Sequence, residues 1–470
     1  MGELFCGIDF GTTNSSVALS DGQQVRVLPL DPANDNPAAL PSLLYITNEG
    51  EHIVGRRAAN AFIERNVDRE IILEQMDLGV DIEAYVGAEP DKSEGYRPGA
   101  EPSNVREAMR ARATVEVNSP GRLFQSLKTQ LRHVSFRGTH VFGTHYQIEE
   151  LVAHILRRIK KELDAAAGRS IEKAVLGRPV RFSRDPKENE VAEHRLRTAA
   201  DLAGFKELSF FYEPVGACVE YAMAAERKQR LMVVDIGGGT CDVCIMEFGG
   251  GHGTAVRLAE SRILSVAGVP VAGDAIDREI IKKKLFPVFG SRARYGPSKL
   301  RIPQYLFNEI LDWQNLYKLN TEEMINWLLA IEVDCTDPQA IRALRMLIQR
   351  NYGYPVAREV ELAKKRLSES LDTEIALDMD AIHIREHIAR EEFADIIDYL
   401  LDQMLHCIEE AESGAQLESG DIDLVLTTGG TSLIPAIRHM LVDRFGEARL
   451  MQRDTFTSVA TGLALVAQHA

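Results

Sequence analysis

Apolar residues form two short runs, each ending in an aspartate and a turn rich in glycine and threonine before an alternating stretch resumes. The first copy occupies residues 6–19 and the second residues 232–245. Apolar runs and period-two alternation predict strands, and the glycines predict tight turns between them. The two aspartates, Asp9 and Asp235, lie close to half a chain apart. The repeat therefore predicts two similar α/β lobes that face each other across a cleft.

The stretch between the two copies alternates predicted helices with predicted strands. Apolar positions at helical spacing predict an amphipathic helix over residues 148–163. Asp185, followed by proline, predicts the start of another helix that ends at Gly204. A short apolar run at residues 208–212 predicts a strand that leads into Glu213. This alternation is typical of layered α/β folds.

We expect the first lobe to span residues 1–228 and the second lobe residues 229–470. An acidic segment of about residues 64–115 predicts an irregular insertion in the first lobe. Residues of about 286–354 contain both tryptophans and predict an insertion in the second lobe, either a satellite helical core or a partner surface. A final helix of small residues, 459–467, is expected to return toward the first lobe.

Charge and targeting signals narrow the classes of partner. Acidic residues outnumber basic residues 70 to 54, the formal charge is −16, and no long basic cluster is present, so nucleic acid is not an expected partner. An anionic ligand would need backbone amides and a metal ion. The chain has no basic-then-apolar leader and no apolar stretch approaching the ~20 residues that span a bilayer, so we expect a cytoplasmic protein without a membrane partner.

The six cysteines are scattered through the chain and are interpreted as reduced thiols. Cys241 and Cys244 have the spacing of a redox or zinc pair, but they lie in a predicted strand, residues 241–248. Residues three apart in a strand point to opposite faces, so the two thiols cannot share a metal. Both are expected to be core thiols.

The glycine and threonine turns suit a nucleoside triphosphate bound with a divalent ion. Glycines let the backbone approach the phosphates, exposed N–H groups and threonine hydroxyls bond to phosphate oxygens, and aspartates hold hydrated Mg2+. One such turn would be a weak signal, because tight turns in unrelated proteins use the same residues. Two copies, each directly after an apolar strand, predict a phosphate clamp.

Several short segments follow one another in a characteristic order: residues 7–15, 204–217, 234–243, 273–277, 361–368 and 424–435. Together they resemble the actin-like ATPase superfamily and, within it, the nucleotide-binding domain of DnaK-type seventy-kilodalton heat-shock chaperones. The resemblance implies an α/β actin-like ATPase fold with two ribonuclease-H-like lobes around a nucleotide cleft. It also implies ATP or ADP and Mg2+ as cofactors.

The resemblance implies a role for each motif residue. Asp9 and Asp235 would hold hydrated Mg2+, and Glu213 would position water or metal near the γ-phosphate. Phosphate oxygens would be bound by residues of the two turns: Gly11, Thr12, Thr13, Asn14, Gly237, Gly238, Gly239 and Thr240. The nucleoside would be contacted by Glu361, Lys364, Ser368, Gly429, Gly430 and Thr431. The alternatives are a structural carboxylate at a helix start for Glu213 and an ordinary solvated helix face around Lys364 and Lys365.

The sequence departs from the family pattern at two places. Ala59 stands where the family has its catalytic lysine, and Phe456 with Thr457 replaces an acidic pair. Loss of a group that stabilises transition-state charge typically costs about a hundredfold or more in rate, whereas ground-state binding need not suffer equally. The missing charge could come from another basic residue: Arg56, Arg57 or Lys128.

We therefore expect a DnaK-like protein that binds ATP and hydrolyses it slowly, with lobes that close on nucleotide and insertions that offer a surface to a protein partner. It resembles most the short, stand-alone bacterial DnaK-like proteins of the YegD family, because no peptide-binding domain follows. A chaperone-related role is implied by the resemblance alone. The alternatives are a non-hydrolysing nucleotide-binding interaction protein, which the missing lysine favours, and a metabolite kinase of the same superfold.

Overall fold

The computed structural model describes residues 3–87, 104–222, 228–248, 261–379, 382–452 and 457–469. The strands are β1 (Phe5–Phe10), β2 (Asn14–Ser20), β3 (Val25–Val27), β4 (Leu40–Pro41), β5 (Leu44–Thr47), β6 (His52–Val54), β7 (Leu73–Gly87), β8 (Asn104–Glu116), β9 (Gly121–Phe124), β10 (Gly138–Val141), β11 (Thr144–Gln147), β12 (Lys173–Arg178), β13 (Glu207–Tyr212), β14 (Gln229–Ile236), β15 (Cys241–Phe248), β16 (Arg262–Val269), β17 (Arg294–Tyr295), β18 (Leu300–Arg301), β19 (Asp372–Met379), β20 (Ile382–Ala389), β21 (Leu424–Thr428) and β22 (Leu450–Gln452).

The α-helices are α1 (Arg56–Asn66), α2 (Leu127–Gln130), α3 (Ile148–Ala167), α4 (Pro186–Ala203), α5 (Glu213–Ala222), α6 (Gly273–Ile280), α7 (Phe286–Val288), α8 (Gln304–Leu311), α9 (Glu322–Val333), α10 (Pro338–Gln349), α11 (Gly353–Glu369), α12 (Arg390–Ala415), α13 (Pro435–Phe445) and α14 (Ser458–His469). A π-helical turn, Ile281–Leu285, joins α6 to α7, and short 3-10 turns include Trp313–Leu319 and Gly430–Leu433.

The first large sheet has the strand order β13-β12-β1-β2-β3, and β4 also pairs with β2. β1 runs antiparallel to β2 and parallel to β12, which in turn runs parallel to β13. The central strands are buried over most of their length. Near-continuous burial is expected where both faces of a sheet are covered.

The second large sheet repeats this topology. Its order is β16-β15-β14-β21-β22, with β14 antiparallel to β15 and parallel to β21. β15 pairs antiparallel with β16, and β21 pairs parallel with β22, so each strand has a counterpart in the first sheet. The prediction of two similar α/β units from the sequence repeat is confirmed.

Local signals place the helix ends as expected. Asp185 caps α4 by accepting a hydrogen bond from the Lys187 amide at 2.9 Å, and Gly204 ends the helix with φ of 100°. Glu150 accepts a bond from the Gln147 amide at 2.7 Å at the start of α3. Side-chain acceptors satisfy amides that the first turn of a helix leaves unpaired, and glycine adopts positive φ without a steric cost.

The last helix, α14, packs against β1, β2 and α5. A Cβ atom at Gly7 would collide with the backbone of Ala464, and one at Gly462 would collide with the carbonyl of Gly216. The Gln468 side chain donates to the Gly22 carbonyl at 2.9 Å. These glycines allow the backbones to pack in direct contact, and α14 covers one face of the first sheet.

The two predicted insertions have different structures. Strands β7 and β8 form a two-stranded antiparallel ribbon, and residues 88–103 between them lie outside the described residues. The prediction of an irregular segment is wrong for these strands, because pairing with a distant partner overrides local composition. Helices α8, α9 and α10 bury Phe307, Leu328 and Leu344 in the same continuous core as the second sheet. They therefore extend that core instead of forming a separate one.

Cys241 and Cys244 face opposite sides of β15, as predicted. Cys241 lies in the core beneath α12, where the Cys407 thiol donates to the Cys241 carbonyl at 3.8 Å. Cys244 lies in a different apolar cluster beside Cys218. The neighbouring Cys407 thiol and, after it, burial raise the pKa of Cys241. Burial is the main cause that raises the pKa of Cys218, so both thiols are un-ionised.

None of the described helices has both the length and the apolar composition needed to cross a membrane.

Candidate functional site

The first glycine and threonine turn connects β1 to β2 and is held from outside by Ser42. The Ser42 hydroxyl donates to the Gly11 carbonyl at 2.8 Å, and its amide donates to the Thr13 carbonyl at 2.8 Å. A Cβ atom at Gly11 would collide with the carbonyl of Asn14, so this tight turn requires glycine. Thr12 is almost completely buried at the tip of the turn.

The second turn connects β14 to β15 and is supported in a similar way. The Gly237 amide donates to the Thr240 carbonyl at 3.1 Å, which closes the turn. The Thr431 hydroxyl donates to the Gly237 carbonyl at 2.6 Å, and the Asp274 amide donates to the Gly238 carbonyl at 2.7 Å. Its own hydrogen bond and residues from two separate elements therefore fix the conformation of this turn.

The two turns lie directly opposite each other. A Cβ atom at Gly238 would collide with Thr13 Oγ1, and one at Gly239 would lie 2.7 Å from Thr12 Oγ1. A small pocket opens beside this contact, and its lining combines hydroxyls, glycine backbone and two cations: Thr12, Lys128, Thr129, Arg132, Pro179, Phe182, Gly239 and Thr240. Such a set of donors suits a phosphate group.

Carboxylates gather at the ends of the central strands. Asp9 lies near the end of β1, Asp235 lies opposite Asp242 in the pairing of β14 with β15, and Glu213 begins α5. Burial, followed by the charge of Glu213, raises the pKa of Asp9 to about 7 against the lowering effect of Lys128. Burial and the charges of Glu213 and Asp9 also raise the pKa of Asp235 well above its usual range. The cluster therefore carries more negative charge than its own cation compensates.

Lys128 is the basic residue that the structure places inside this cluster. Its Nζ donates to Glu213 Oε1 at 2.6 Å, and the two side chains are 5% and 8% exposed. Burial alone would lower the pKa of Lys128, but Glu213 and Asp9 outweigh it and the pKa is raised, so the lysine is charged. Arg57 is exposed, and Arg56 instead donates to Asn34 at 2.9 Å.

Position 59 supplies no charge to the site. Ala59 is fully buried in an apolar cluster with Tyr45, Phe62, Leu123 and Tyr354. Helix α1 turns this residue into the core, and a lysine there would lose its hydration without an anionic partner in that cluster.

The expected nucleoside residues converge from two helices and a turn. Lys364 donates to the Gly273 carbonyl at 3.1 Å and to Asp277 Oδ2 at 2.8 Å, and it is almost fully buried, so it does not belong to a solvated face. A Cβ atom at Gly429, where φ is 80°, would lie 2.8 Å from Asp235 Oδ1. Gly430 follows Gly429 and faces open space.

The remaining expected residues of α11 lie further out. Glu361 pairs with Lys365 at 2.6 Å, and Lys365 is exposed. Ser368 is half-buried one turn beyond Lys364. The structure therefore brings Lys364, Gly429 and Thr431 to the second turn and leaves Glu361 and Ser368 along the neighbouring helix face.

Comparison with known proteins identifies the family. The model of the family described as "Hsp70 protein" matches residues 102–258 and 348–469, which is more than half of the chain. The chain belongs to the Hsp70 family. Its fold is accordingly the α/β actin-like ATPase fold that the motifs implied, with the two sheets described above as the repeated units.

Curated relatives of this Hsp70-family chain carry the name "Chaperone protein dnaK". The relatives of Cyanidioschyzon merolae and Gracilaria tenuistipitata var. liui are each 23% identical to this chain over 98% of its length. The matched region covers 61% and 59% of the length of these relatives, respectively. That of Cyanophora paradoxa is 24% identical over 94% of this chain and 56% of its own. The chain thus spans about three-fifths of the length of the relatives it matches.

The Hsp70 family implies Mg2+, and the donor set of this site fits a hydrated ion. Among the described residues, no group of three or more His, Cys, Asp or Glu side chains is arranged to enclose a metal. Mg2+, however, usually keeps several waters and is bound by one or two carboxylates together with substrate phosphates. Asp9 and Asp235, with their raised pKa values, are the carboxylates that a cation would relieve.

Sequence reasoning missed three residues of this Hsp70-type site. Asp242 is 1% exposed and accepts a hydrogen bond from the Val180 amide at 2.6 Å. Ser42 supports the first turn, and Ser126 donates to Asp274 Oδ2 at 3.1 Å. Asp242 stands within the second motif, where its place opposite Asp235 could have been found from strand alternation. The two serines reach the site only through tertiary contacts.

Proposed function

We propose that this protein binds ATP together with Mg2+ between the two glycine and threonine turns. The observation that carries the proposal is the direct opposition of these turns beside a cluster of buried carboxylates. Backbone N–H groups and hydroxyls of the turns would bind the phosphates: Gly11, Thr12, Thr13, Asn14, Gly237, Gly238, Gly239 and Thr240. Asp9 and Asp235 would hold hydrated Mg2+, which supplies charge neutralisation at the phosphates when bound.

The nucleoside end of ATP would extend toward α11 and the turn after β21. Glu361, Lys364 and Ser368 would face the ribose and base from the helix, and Gly429, Gly430 and Thr431 would close on them from the turn. Gly430 has no neighbour within 4 Å of a Cβ atom, which leaves room for a ligand. Asp277 Oδ1 is buried and has no hydrogen-bond partner among the described residues, so one polar acceptor there is available to a ligand or water.

The reaction proposed for this site is slow hydrolysis of ATP to ADP and inorganic phosphate. Glu213, held at the start of α5 by Lys128, would orient a water whose oxygen bonds to the γ-phosphorus. The bond from that phosphorus to the β–γ bridging oxygen breaks, its electron pair leaves with ADP, and one proton is released. The charged Lys128 in the cluster favours hydrolysis over the alternative of a purely nucleotide-binding interaction protein.

We also propose that nucleotide draws the lobes together and thereby presents or hides a partner surface. Contacts across the mouth of the cleft support this idea. Phe62 of α1 lies 5.7 Å from the ring of Trp313 and 5.5 Å from the ring of Tyr354. The Tyr352 hydroxyl donates to Asp68 at 2.9 Å. A ligand bound by both sides favours the closed form by its difference in affinity for the two forms.

The proposed biological class is a DnaK-like, chaperone-related ATPase of the YegD type. The match to the Hsp70 family supports the DnaK-like part of this proposal. The client or protein partner would bind through the region of β7 and β8 or the surface of α9 and α10. Chaperone activity on an unfolded client would test this part of the proposal directly.

Calorimetry with ATP and ADP, in Mg2+ and in chelator, tests the binding proposal. We expect Mg2+-dependent binding of both nucleotides, and the absence of binding at millimolar ATP would overturn it. Phosphate release measured with and without sugar or metabolite acceptors then separates an ATPase from a kinase.

Closure of the lobes is tested with Trp327→Phe, which leaves Trp313 as the fluorescent reporter at the mouth of the cleft. Unchanged tryptophan emission at saturating ATP would contradict closure.

A further inference from the structure

We infer that the second half of the molecule has a separate binding site for a small anion, in a cavity between β21, β22 and α13. The cavity has a volume of about 100 Å³ and is lined by Thr427, Ser432, Arg438, Leu450 and Gln452. None of these residues belongs to the proposed ATP site. The inference therefore goes beyond the proposed function and does not depend on it.

Thr427 is the buried polar group of this cavity. It is 7% exposed, and its hydroxyl has no hydrogen-bond partner in the part of the chain that the structure describes. The other hydroxyl of the lining, that of Ser432, instead donates to the Gly429 carbonyl at 2.7 Å. Buried polar side chains in folded proteins are nearly always hydrogen-bonded to protein, to ordered water or to a ligand. The Thr427 hydroxyl is therefore available to a molecule in the cavity.

The first half shows the same corner of the fold without a cavity. Leu176 and Thr427 occupy equivalent places, each in register with the residue before the aspartate of the central strand. On the next strand, Phe210 is the neighbour of Leu176, and Gln452 is the neighbour of Thr427. Leu176 is fully buried, and Phe210 packs against the same apolar cluster. The second half thus has a polar pair and a cavity where the first half has a packed apolar pair.

The donors of the lining favour an anion. Arg438 supplies a guanidinium group, and its partner Glu447 has a side chain that is 62% exposed. Exposed ion pairs are weak and a guanidinium group has five N–H donors, so Arg438 can bind a second anion. The Thr427 hydroxyl and the Gln452 amide add neutral donors to the same cavity. Guanidinium groups bind carboxylates and phosphates in particular, and the volume of the cavity restricts the ligand to a small molecule that carries one of these groups.

The test follows the methyl NMR signals of Leu450, which lines the cavity, while the protein is titrated with acetate or with inorganic phosphate. Acetamide is the control, because it has nearly the shape of acetate without its charge. We expect a saturable shift with at least one anion and none with acetamide, and the anion that binds more tightly identifies the class of ligand. Unchanged Leu450 signals at tens of millimolar of both anions, or equal shifts with acetamide, would overturn the inference.

Three variants show whether the anion binds in this cavity. Thr427→Val removes the hydroxyl at nearly constant volume and should weaken binding about fivefold, and Arg438→Gln should weaken it about tenfold or more. Glu447→Gln removes the competing carboxylate and should strengthen binding. Wild-type affinity in both Thr427→Val and Arg438→Gln would contradict the site. If either of these two variants does not fold, unchanged affinity in Glu447→Gln, at an exposed position, would contradict it instead.

Discussion

The two halves of the molecule share a strand order but differ in the turns that meet between them. The turn after β1 carries side chains, Thr12 and Thr13, that project across the cleft. The turn after β14 consists mainly of glycines, and Gly238 receives Thr13 without room for a Cβ atom. A duplicated topology thus does not imply duplicated surfaces, because two identical turns with side chains would collide.

The supports of the two turns resemble each other more than the turns themselves do. In each half, a buried hydroxyl from a separate segment donates to the carbonyl of the first glycine of the turn: Ser42 to Gly11 and Thr431 to Gly237. The strands differ again, because Asp9 pairs in register with Ser16 whereas Asp235 pairs with Asp242. The second half therefore contributes the additional carboxylate.

Gly238→Ala should have the largest effect on nucleotide affinity, because it puts a side chain into the turn that otherwise leaves room for Thr13. The new Cβ atom would overlap Thr13 Oγ1, and overpacking of about 1–3 kcal/mol would lower nucleotide affinity by about tenfold to a hundredfold. Calorimetry with ADP measures this loss. Gly420→Ala, at an open position, is the control and should bind as wild type does.

The double variant Gly238→Ala with Thr13→Ala sharpens the same comparison. Removing the threonine hydroxyl makes room for the new methyl group, so binding should recover in part. If the double variant binds no better than Gly238→Ala alone, the close approach of the two turns is not the cause of the loss.

Asp242→Asn should make the stability of the second half less sensitive to pH. Burial, followed by the charge of Glu213, raises the pKa of Asp242 from 3.8 to about 7. The folded protein therefore keeps this proton between about pH 4 and 7, where the unfolded chain has lost it, so this group costs stability as pH rises through that window. The asparagine variant should gain stability relative to wild type across the window, by at most about 4 kcal/mol.

Urea unfolding of apo protein at both ends of the window measures this difference. Ser16→Ala, at the equivalent place in the first half, should show no such change with pH. A stability difference between Asp242→Asn and wild type that stays constant with pH would contradict the assigned cause.

Ser42→Ala and Thr431→Val should have the smallest effects, and similar ones. Each removes a hydrogen bond to a glycine carbonyl of a turn, which is worth about 1 kcal/mol, or about fivefold in nucleotide affinity. Ser42→Ala also removes the contact between the Ser42 and Ser15 hydroxyls at 2.9 Å, which lies outside the turn carbonyl. Parallel titrations compare them directly. A large loss in one variant alone would show that the two supports are not equivalent.

Local patterns in the sequence predicted much of the fold. The strand and turn repeat, the capped helix α4 and the small-residue helix α14 follow from periodicity and capping residues that act within a few positions. The ribbon of β7 and β8 does not, because its pairing joins segments on either side of residues 88–103.

The candidate site divides in the same way. Asp9, Asp235 and the glycines stand in motifs that can be recognised directly, and their side chains or backbones meet as the motifs imply. The place of Lys128 depends on how α2 packs against α3 and brings the lysine to Glu213 at the start of α5. Contacts between distant segments cannot be read from spacing alone.

The position of α14 also bears on how the chain folds as it is made. The ribosome releases β1, β2 and α5 long before residues 458–469, yet α14 covers the face of the first sheet and crosses α5 at Gly216. Until that helix emerges, the nascent first half must hold an uncovered apolar face that includes Val215 and Cys218. We expect this half to gain its final protection against proteolysis only after translation of α14.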